Sequence, residues 1–228
     1  MRDSDAKLVQ ELPLFQQMAA EYFGALMTAA LLQKFPEHVT LIEEGELPDF
    51  LHILVDGTVE LFAAREARET SIDIIRPVTT FILAAVIRDE PHLKSARTLT
   101  PARVLMIPAA AVRDVFDHDA AFARAIVNEL ASRYRGVVRL LKDQKLCNGM
   151  ERLAHWILEE ERRQGGCGRI VLAHEKRILS SLLGMAPENL SRNLAGLASH
   201  GVDNKGREIV ISDRKALERY IGSDASRW

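Results

Sequence analysis

Apolar positions near the start of the chain recur every three or four residues, at Leu8, Leu12, Phe15, Met18, Tyr22, Leu26 and Ala29. This spacing predicts helix over residues 6–33, cut by Pro13 into a short helix, a turn and a second helix. After Phe35-Pro36 the pattern shortens. Residues 39–42 form a β-prone run, and Glu44-Gly45-Glu46 reads as a turn. Residues 50–55 and 58–62 are two further β-prone runs split by Asp56-Gly57, the strongest short hairpin signal. More short runs follow at 71–75, 79–83, 96–99 and 103–107, a spacing that suggests a double-sheet jelly roll or barrel. Helical spacing returns over 109–116.

Residues 119–145 predict one long helix, with Ala123, Ile126, Leu130, Tyr134, Val137 and Leu141 close to a heptad seam. A roll of this size cannot cover the whole helix, so a partner helix is its natural cover. An ordinary amphipathic surface helix is the alternative. Residues 150–164 form another amphipathic helix with Leu153, Trp156 and Ile157 on one side and Glu159–Glu161 on an acidic face. A glycine-rich loop at 165–168, a strand at 169–172, two helices, a strand at 208–211 and a helix at 214–221 complete the chain. No internal repeat is present.

The two helices are the most informative segment. Residues 176–183 are helical, with Ile178, Leu179, Leu182 and Leu183 apolar. Gly184 suits the left-handed conformation of a sharp turn, and Pro187 suits the first position of the next helix. That helix extends to about His200, with Leu190, Leu194 and Leu197 inward and Gly201 as its stop. The pattern is a helix-turn-helix. Its exposed face carries Glu188, Asn189, Ser191, Arg192 and Asn193. Arg forks onto guanine, Glu accepts from cytosine, and Ser or Asn reads several base edges. These residues lie in the first half of the second helix, the part that enters the major groove. A hairpin tip at 203–207 offers Lys205 and Arg207 as a wing, and Lys176 and Arg177 open the first helix. All four are candidates for phosphate contacts. A bare pair of helices is common in proteins that never meet DNA, so the wing and the charge distribution carry weight.

The charge is uneven. The whole chain has net charge −2, yet residues 1–120 hold 11 basic and 19 acidic side chains, and residues 121–228 hold 19 and 13. An acidic front and a basic back suggest two domains with different partners, the basic half facing nucleic acid. Segregation between solvated faces is the bland alternative. The uncharged run of 11 residues from Pro77 to Ile87 falls short of the roughly 20 that span a membrane. Met1 to Lys7 lacks the apolar core of a signal peptide, which points to a cytoplasmic protein with no membrane partner. Cys147 and Cys167 are too few for a disulfide framework or a four-thiolate iron–sulfur centre.

Taken in order, these features resemble the CRP/FNR superfamily of bacterial transcription regulators over residues 12–221. The likeness rests on Glu11-Leu-Pro-Leu-Phe15, Glu44-Gly45, Asp56-Gly57, Ser95-Ala-Arg97, the long helix, Leu183-Gly-Met-Ala-Pro-Glu-Asn-Leu-Ser-Arg192 and Gly206-Arg-Glu-Ile209. It implies an α+β chain: N-terminal helices and a jelly-roll (double-stranded β-helix), cyclic-nucleotide-binding-like sensor over 1–118, a dimerisation helix over 119–145, and a winged helix-turn-helix over 146–228. It implies a homodimer with Ile126, Leu130, Tyr134, Val137 and Leu141 at the interface, double-stranded DNA as ligand and RNA polymerase as partner. Glu188, Ser191 and Arg192 match the Glu-x-x-Ser-Arg pattern of the FNR branch, which reads TTGAT half-sites in an inverted repeat. The catabolite-activator branch has an arginine where Pro187 stands.

The sensor departs from the family's cyclic-AMP binders. Their Phe-x-Gly-Glu is Phe81-Ile-Leu83-Ala84 here, and their Arg-Ser-Ala is Lys94-Ser95-Ala96. Leu83 replaces the glycine beside the phosphate, and Ala84 the glutamate on the ribose. Lys94 replaces an arginine fork with a point charge. These changes argue against cyclic AMP, although Lys94 and Ser95 keep an option for an anion. No cysteine precedes Cys147, so the FNR iron–sulfur sensor is absent, as is a roll cysteine of the carbon-monoxide-sensor type. The remaining likeness is to the NnrR/DNR group, which implies nitric oxide as signal, denitrification genes as targets and haem as cofactor. Candidate axial ligands are His38, His52, His92 and His118, and no spacing selects one. A regulator of the same fold controlled by a cyclic nucleotide or another small ligand is the alternative. A metal-dependent jelly-roll enzyme needs a His-x-His pair and a glutamate within one hairpin, and this roll has His52 alone in its central strands; a module without DNA contact would not need Glu188, Ser191 and Arg192 on one face.

Overall fold

The computed structural model describes residues 3–66 and 68–222. Residues 1, 2, 67 and 223–228 lie outside the described residues, and with them the outer ends of the first and last expected domains and the start of the stretch read for a signal peptide. The chain divides between Tyr134 and Arg135 into two compact units, so the boundary falls inside the long helix.

The first unit begins with α1 (Asp3–Gln10) and α2 (Ala20–Ala29). Eight strands follow: β1 (Leu31–Phe35), β2 (Thr40–Ile42), β3 (Phe50–Asp56), β4 (Val59–Arg65), β5 (Arg68–Ile75), β6 (Thr79–Phe81), β7 (Ser95–Thr98) and β8 (Ala102–Pro108). They form two antiparallel sheets, ordered β1-β8-β3-β6 and β2-β7-β4-β5. Two short helices, α3 (Leu83–Arg88) and α4 (Ala109–His118), precede α5 (Ala120–Leu146). The expected jelly roll is therefore present.

Strand β3 shows why its sequence lacks polar alternation. Leu51, Ile53 and Val55 pack against the helices, while Leu54 points into the layer between the sheets with Val59, Leu61, Phe81, Ala96 and Val104. A sheet covered on both faces needs an apolar residue at nearly every position. On the outer side of the second sheet, the buried Glu60 accepts from Arg97 at 2.8 Å and from Ser71. Arg97 also reaches Glu69 at 3.0 Å and lies 4.2 Å over the Phe62 ring.

Three local expectations are corrected. The helix ends at Ala29 and residues from Leu31 form β1, because its edge pairs with β8 in the register Leu31↔Met106. Tertiary pairing outweighs the helical spacing there. Asp56-Gly57 does not close a hairpin. It carries the chain from one sheet to the other, with Gly57 at φ +91° and packed so tightly that a Cβ would meet the Pro101 oxygen at 2.5 Å. The run at 79–83 stops as a strand at Phe81. Ile82 takes φ +64° and turns the chain into α3, which buries Leu83 and Val86.

Asp119 starts α5. Its carboxylate accepts from the amides of Ala121 (2.8 Å) and Phe122 (3.0 Å), and across the unit from Ala19 at 2.9 Å. Those backbone bonds hold its pKa below the usual carboxylate range.

The second unit contains α6 (Gly149–Arg163), β9 (Arg169–Val171), α7 (Lys176–Leu182), α8 (Pro187–Gly196), β10 (Val202–Lys205), β11 (Glu208–Ile211) and α9 (Arg214–Ile221). Asn148 and Glu151 form a reciprocal capping box at the start of α6. Leu153, Ala154 and Ile157 of α6 meet Leu179, Leu190, Leu194, Leu197, Val202, Ile209 and Leu217 in one core. The acidic face expected at 159–161 is only partly exposed. Glu160 and Glu161 are buried, and Glu161 is satisfied by the Gly168 amide at 2.8 Å and by the Arg214 guanidinium. Gln164 uses its side-chain amide as a surrogate strand, bonding both the N–H and the C=O of Val171.

Candidate nucleic-acid interface and sensor pocket

The helix-turn-helix is built by backbone constraints the sequence made visible. Helix α7 ends at the Leu183 cap, Gly184 takes φ +62°, and the amides of Gly184 and Met185 bond back to Ser181 and Ser180 at 2.9 Å each. Pro187 opens α8 without a lost donor. Leu190 and Leu194 anchor the inner side, and the last turn tightens to a 3-10 helix over Leu197–His200 before Gly201 at φ +79°.

The outer side of α8 carries Glu188, Asn189, Ser191 and Arg192, all exposed. Their side chains take no hydrogen-bond or ion-pair partner among the described residues, so their donors and acceptors stay available. Asn193, in contrast, turns inward and contacts the Met185 sulfur at 3.5 Å. Beside the helices, β10 and β11 pair with Lys205 opposite Glu208, and Gly206-Arg207 form the tip. Strand β11 also pairs β9, making a three-stranded wing. Lys205 and Arg207 are exposed at that tip, and Arg177 is exposed on α7. Lys176 is half-buried and donates to Asn204 at 3.1 Å, which ties α7 to the wing. Arg207 reaches the Leu172 carbonyl at 3.4 Å. Reader side chains on one helix face and cations on an adjacent wing are what a groove-reading module requires.

The seam residues of α5 separate into two groups. Ile126 is fully buried in the core of its own chain and Leu130 is partly buried against that core. Ile126 is therefore corrected from interface to intrachain packing, because α5 must close the helical side of the roll first. Tyr134, Val137 and Leu141 are 70%, 61% and 54% exposed, and Val127, Val138, Leu140 and Leu146 extend the apolar surface.

In the sensor, Leu83 is a buried core residue, and Ala84 presents only an exposed methyl on α3. The Ser95 hydroxyl accepts from the Glu44 amide at 3.0 Å. Lys94 is half-buried. Burial pushes its ammonium pKa down, Asp73 opposes that and Arg133 adds to it. Arg133 donates to the Thr80 carbonyl at 2.7 Å and pairs with Glu129. Arg133 and Asp73 were not singled out in the sequence, since only the strand register and α5 packing bring them near Lys94.

The four histidines do not form one site. His38 and His118 are exposed, and His118 bonds the Asp114 carbonyl at 2.7 Å. His52 is buried, with its ring 5.3 Å from Phe81 and 6.5 Å from Phe50. Burial, then nearby His92, lowers its pKa to about 4. Burial lowers that of His92, with Glu46 and Asp49 opposing. Among the described residues no group of three or more His, Cys, Asp or Glu could hold a metal ion. An axial haem ligand must open onto an apolar slot. His38 and His118 lie on the surface, His52 and His92 are buried, and nothing in this arrangement selects one of the four as an axial ligand.

No helix among the described residues is long and apolar enough to cross a membrane. Comparison with known proteins agrees with the two-part architecture. Residues 32–119 match the cyclic nucleotide-binding domain, and residues 151–220 match the Crp-like helix-turn-helix domain. The chain is 26% identical over 212 residues to a CRP-like cAMP-activated global transcriptional regulator of Mycobacterium tuberculosis, covering 90% of this chain and 95% of that protein. In fold it is similar to FixK2 from Bradyrhizobium japonicum (TM-score 0.75, 21% identity, 85% of this chain and 98% of that one). It is also similar to DNR from Pseudomonas aeruginosa (TM-score 0.53, 21% identity, 96% and 99%). With a cyclic-nucleotide-binding fold in front and a Crp-like helix-turn-helix behind, the chain belongs to the CRP/FNR superfamily of DNA-binding transcription regulators, a family of regulators and not of enzymes.

Proposed function

We propose that this regulator acts as a homodimer that reads an FNR-like inverted repeat of TTGAT half-sites, and that its sensor answers a signal other than a cyclic nucleotide. One observation carries the DNA reading: Glu188, Ser191 and Arg192 stand exposed and unengaged on one face of α8, beside Asn189, in the spacing of the FNR branch. Lys205, Arg207, Lys176 and Arg177 supply the phosphate contacts that fix register on the duplex. RNA polymerase is the partner the family likeness implies. The test is selection of bound sequences from a random duplex pool at fixed salt. Enrichment of an inverted repeat related to TTGAT is expected, and enrichment of unrelated or single sites would overturn the reading.

For the signal, nitric oxide with control of denitrification genes is what the NnrR/DNR likeness implies. Haem is the cofactor that likeness implies, and none of the four histidines is singled out as its ligand. Cyclic AMP is the second reading, favoured by the domain match and by the named activity of the mycobacterial relative. Against it stand the bulk of Leu83 and the missing carboxylate at Ala84. Calorimetry with cyclic AMP is expected to show no binding at micromolar ligand. Micromolar affinity would establish the second reading and make Lys94 and Ser95 the phosphate site.

A further inference from the structure

Two helix ends meet at one side chain in the second unit. Arg152, near the start of α6, donates from Nη1 to the Cys147 carbonyl at 2.7 Å and from Nε to the Leu183 carbonyl at 3.0 Å. Cys147 immediately follows α5, and Leu183 caps α7 directly before the turn into the reading helix. Both carbonyls lie at helix C-termini, where backbone acceptors lack intrahelical donors and the helix dipole favours a cation. A planar guanidinium joins two such acceptors in a fixed relation, which a flexible ammonium cannot do.

A second contact reinforces the joint. Gly184, at φ +62°, lies against Gln144 in the last turns of α5, where a Cβ would stand 2.7 Å from the Gln144 Nε2. The turn before α8 therefore lies against the end of α5, and Arg152 joins the same two segments through the Leu183 and Cys147 carbonyls. Helix α6 in turn seats α8 closely, since a Cβ on Gly149 would meet Asn193 at 2.9 Å and one on Gly196 would meet Met150 at 2.8 Å.

We infer that Arg152, supported by Gln144, is the positioning residue that fixes the reading helix relative to the end of α5, and thereby sets which half-site spacing a dimer accepts. In a dimer joined through α5, a small rotation at this joint displaces the two reading helices in opposite directions. Each helix would still recognise its own half-site, but the pair would no longer match one repeat.

This inference rests on the dimer reading, and the experiment separates the two. Affinity of the full chain is measured for a duplex with the selected inverted repeat and for one with a single half-site, across a salt series. The wild type is expected to prefer the repeat strongly. Arg152→Gln is expected to lose at least tenfold on the repeat, keep its half-site affinity and salt slope, and accept repeats with one base pair more or less. Arg152→Lys and Gln144→Ala are milder changes expected to shift the same way, and they serve if Arg152→Gln melts early. A wild type that binds both duplexes equally overturns the dimer reading and this inference with it. A preserved preference for the original spacing in all three variants overturns the role of Arg152. Equal loss on half-site and repeat marks a residue needed only for folding, and a smaller salt slope marks a phosphate contact. Either result also overturns the inference.

Discussion

Arg192→Ala is expected to weaken binding to the cognate repeat by roughly 1–3 kcal/mol per half-site and to relax the choice at the guanine position. The reason is geometric. Arg192 lies four residues after Glu188, so the two stack on the same side of α8, and Ser191 lies about 100° round from Arg192. Helix α8 is held by Leu190 and Leu194 in the core, so the reader face cannot rotate away without unpacking the unit. The exposed Arg192 side chain makes no hydrogen bond or ion pair among the described residues, so its truncation breaks no such bond and the loss reports DNA. Lys205→Ala is the control, because its ammonium also has no hydrogen-bond or ion-pair partner among the described residues. That change should weaken all sequences alike and lower the salt slope by about one per subunit. Lys176 is a poorer control, since it holds Asn204 in the wing. Selection from a random pool at fixed salt checks the prediction. A variant Arg192→Ala that enriches the same motif as wild type would show that another side chain reads the guanine.

The parts of this fold legible in the sequence were those governed by local chemistry. Gly184 and Pro187 announced the turn and the start of α8, and both stand where expected, because a positive φ and a missing N–H are properties of single residues. The wing was legible for the same reason, through Gly206. What was not legible depended on partners distant in sequence. Leu31–Phe35 reads as helix until β8 offers it a ladder. Asp56-Gly57 reads as a hairpin, and only the assignment of β3 and β4 to different sheets makes it a crossover. Glu161 reads as solvated until the Gly168 amide and Arg214 arrive. Arg152 carried no signal at all, since an arginine in an amphipathic helix is ordinary and both of its acceptors are backbone carbonyls. The heptad seam was legible as a pattern, but the pattern could not say which positions face the chain's own core.

That last distinction yields the strongest test of assembly. Val137→Asp and Leu141→Asp are expected to convert a dimer to a monomer while leaving each unit folded. Both side chains are more than half exposed in the single chain, so a carboxylate there meets water when the chain is alone. In a helix-to-helix seam the same carboxylate is buried without a partner, and symmetry places it there twice. An uncompensated buried charge costs about 3–5 kcal/mol. Two of them exceed what a seam of this length can offset. Ile126→Asp is the opposite case. Ile126 is fully enclosed by the roll core, so its charge is buried in the monomer too, and the expected outcome is loss of the folded sensor and not dissociation. Light scattering with circular dichroism separates the two. Val137→Asp should scatter at the chain mass with an unchanged spectrum and melting of the roll, whereas Ile126→Asp should lose strand signal. Wild type that scatters at the chain mass at micromolar concentration would refute the dimer. A dimeric Val137→Asp together with a dimeric Leu141→Asp would move the interface off this face of α5. The monomeric variants should also lose the preference for an inverted repeat while binding a half-site as wild type does, because the reading helix is intact and only its partner is gone.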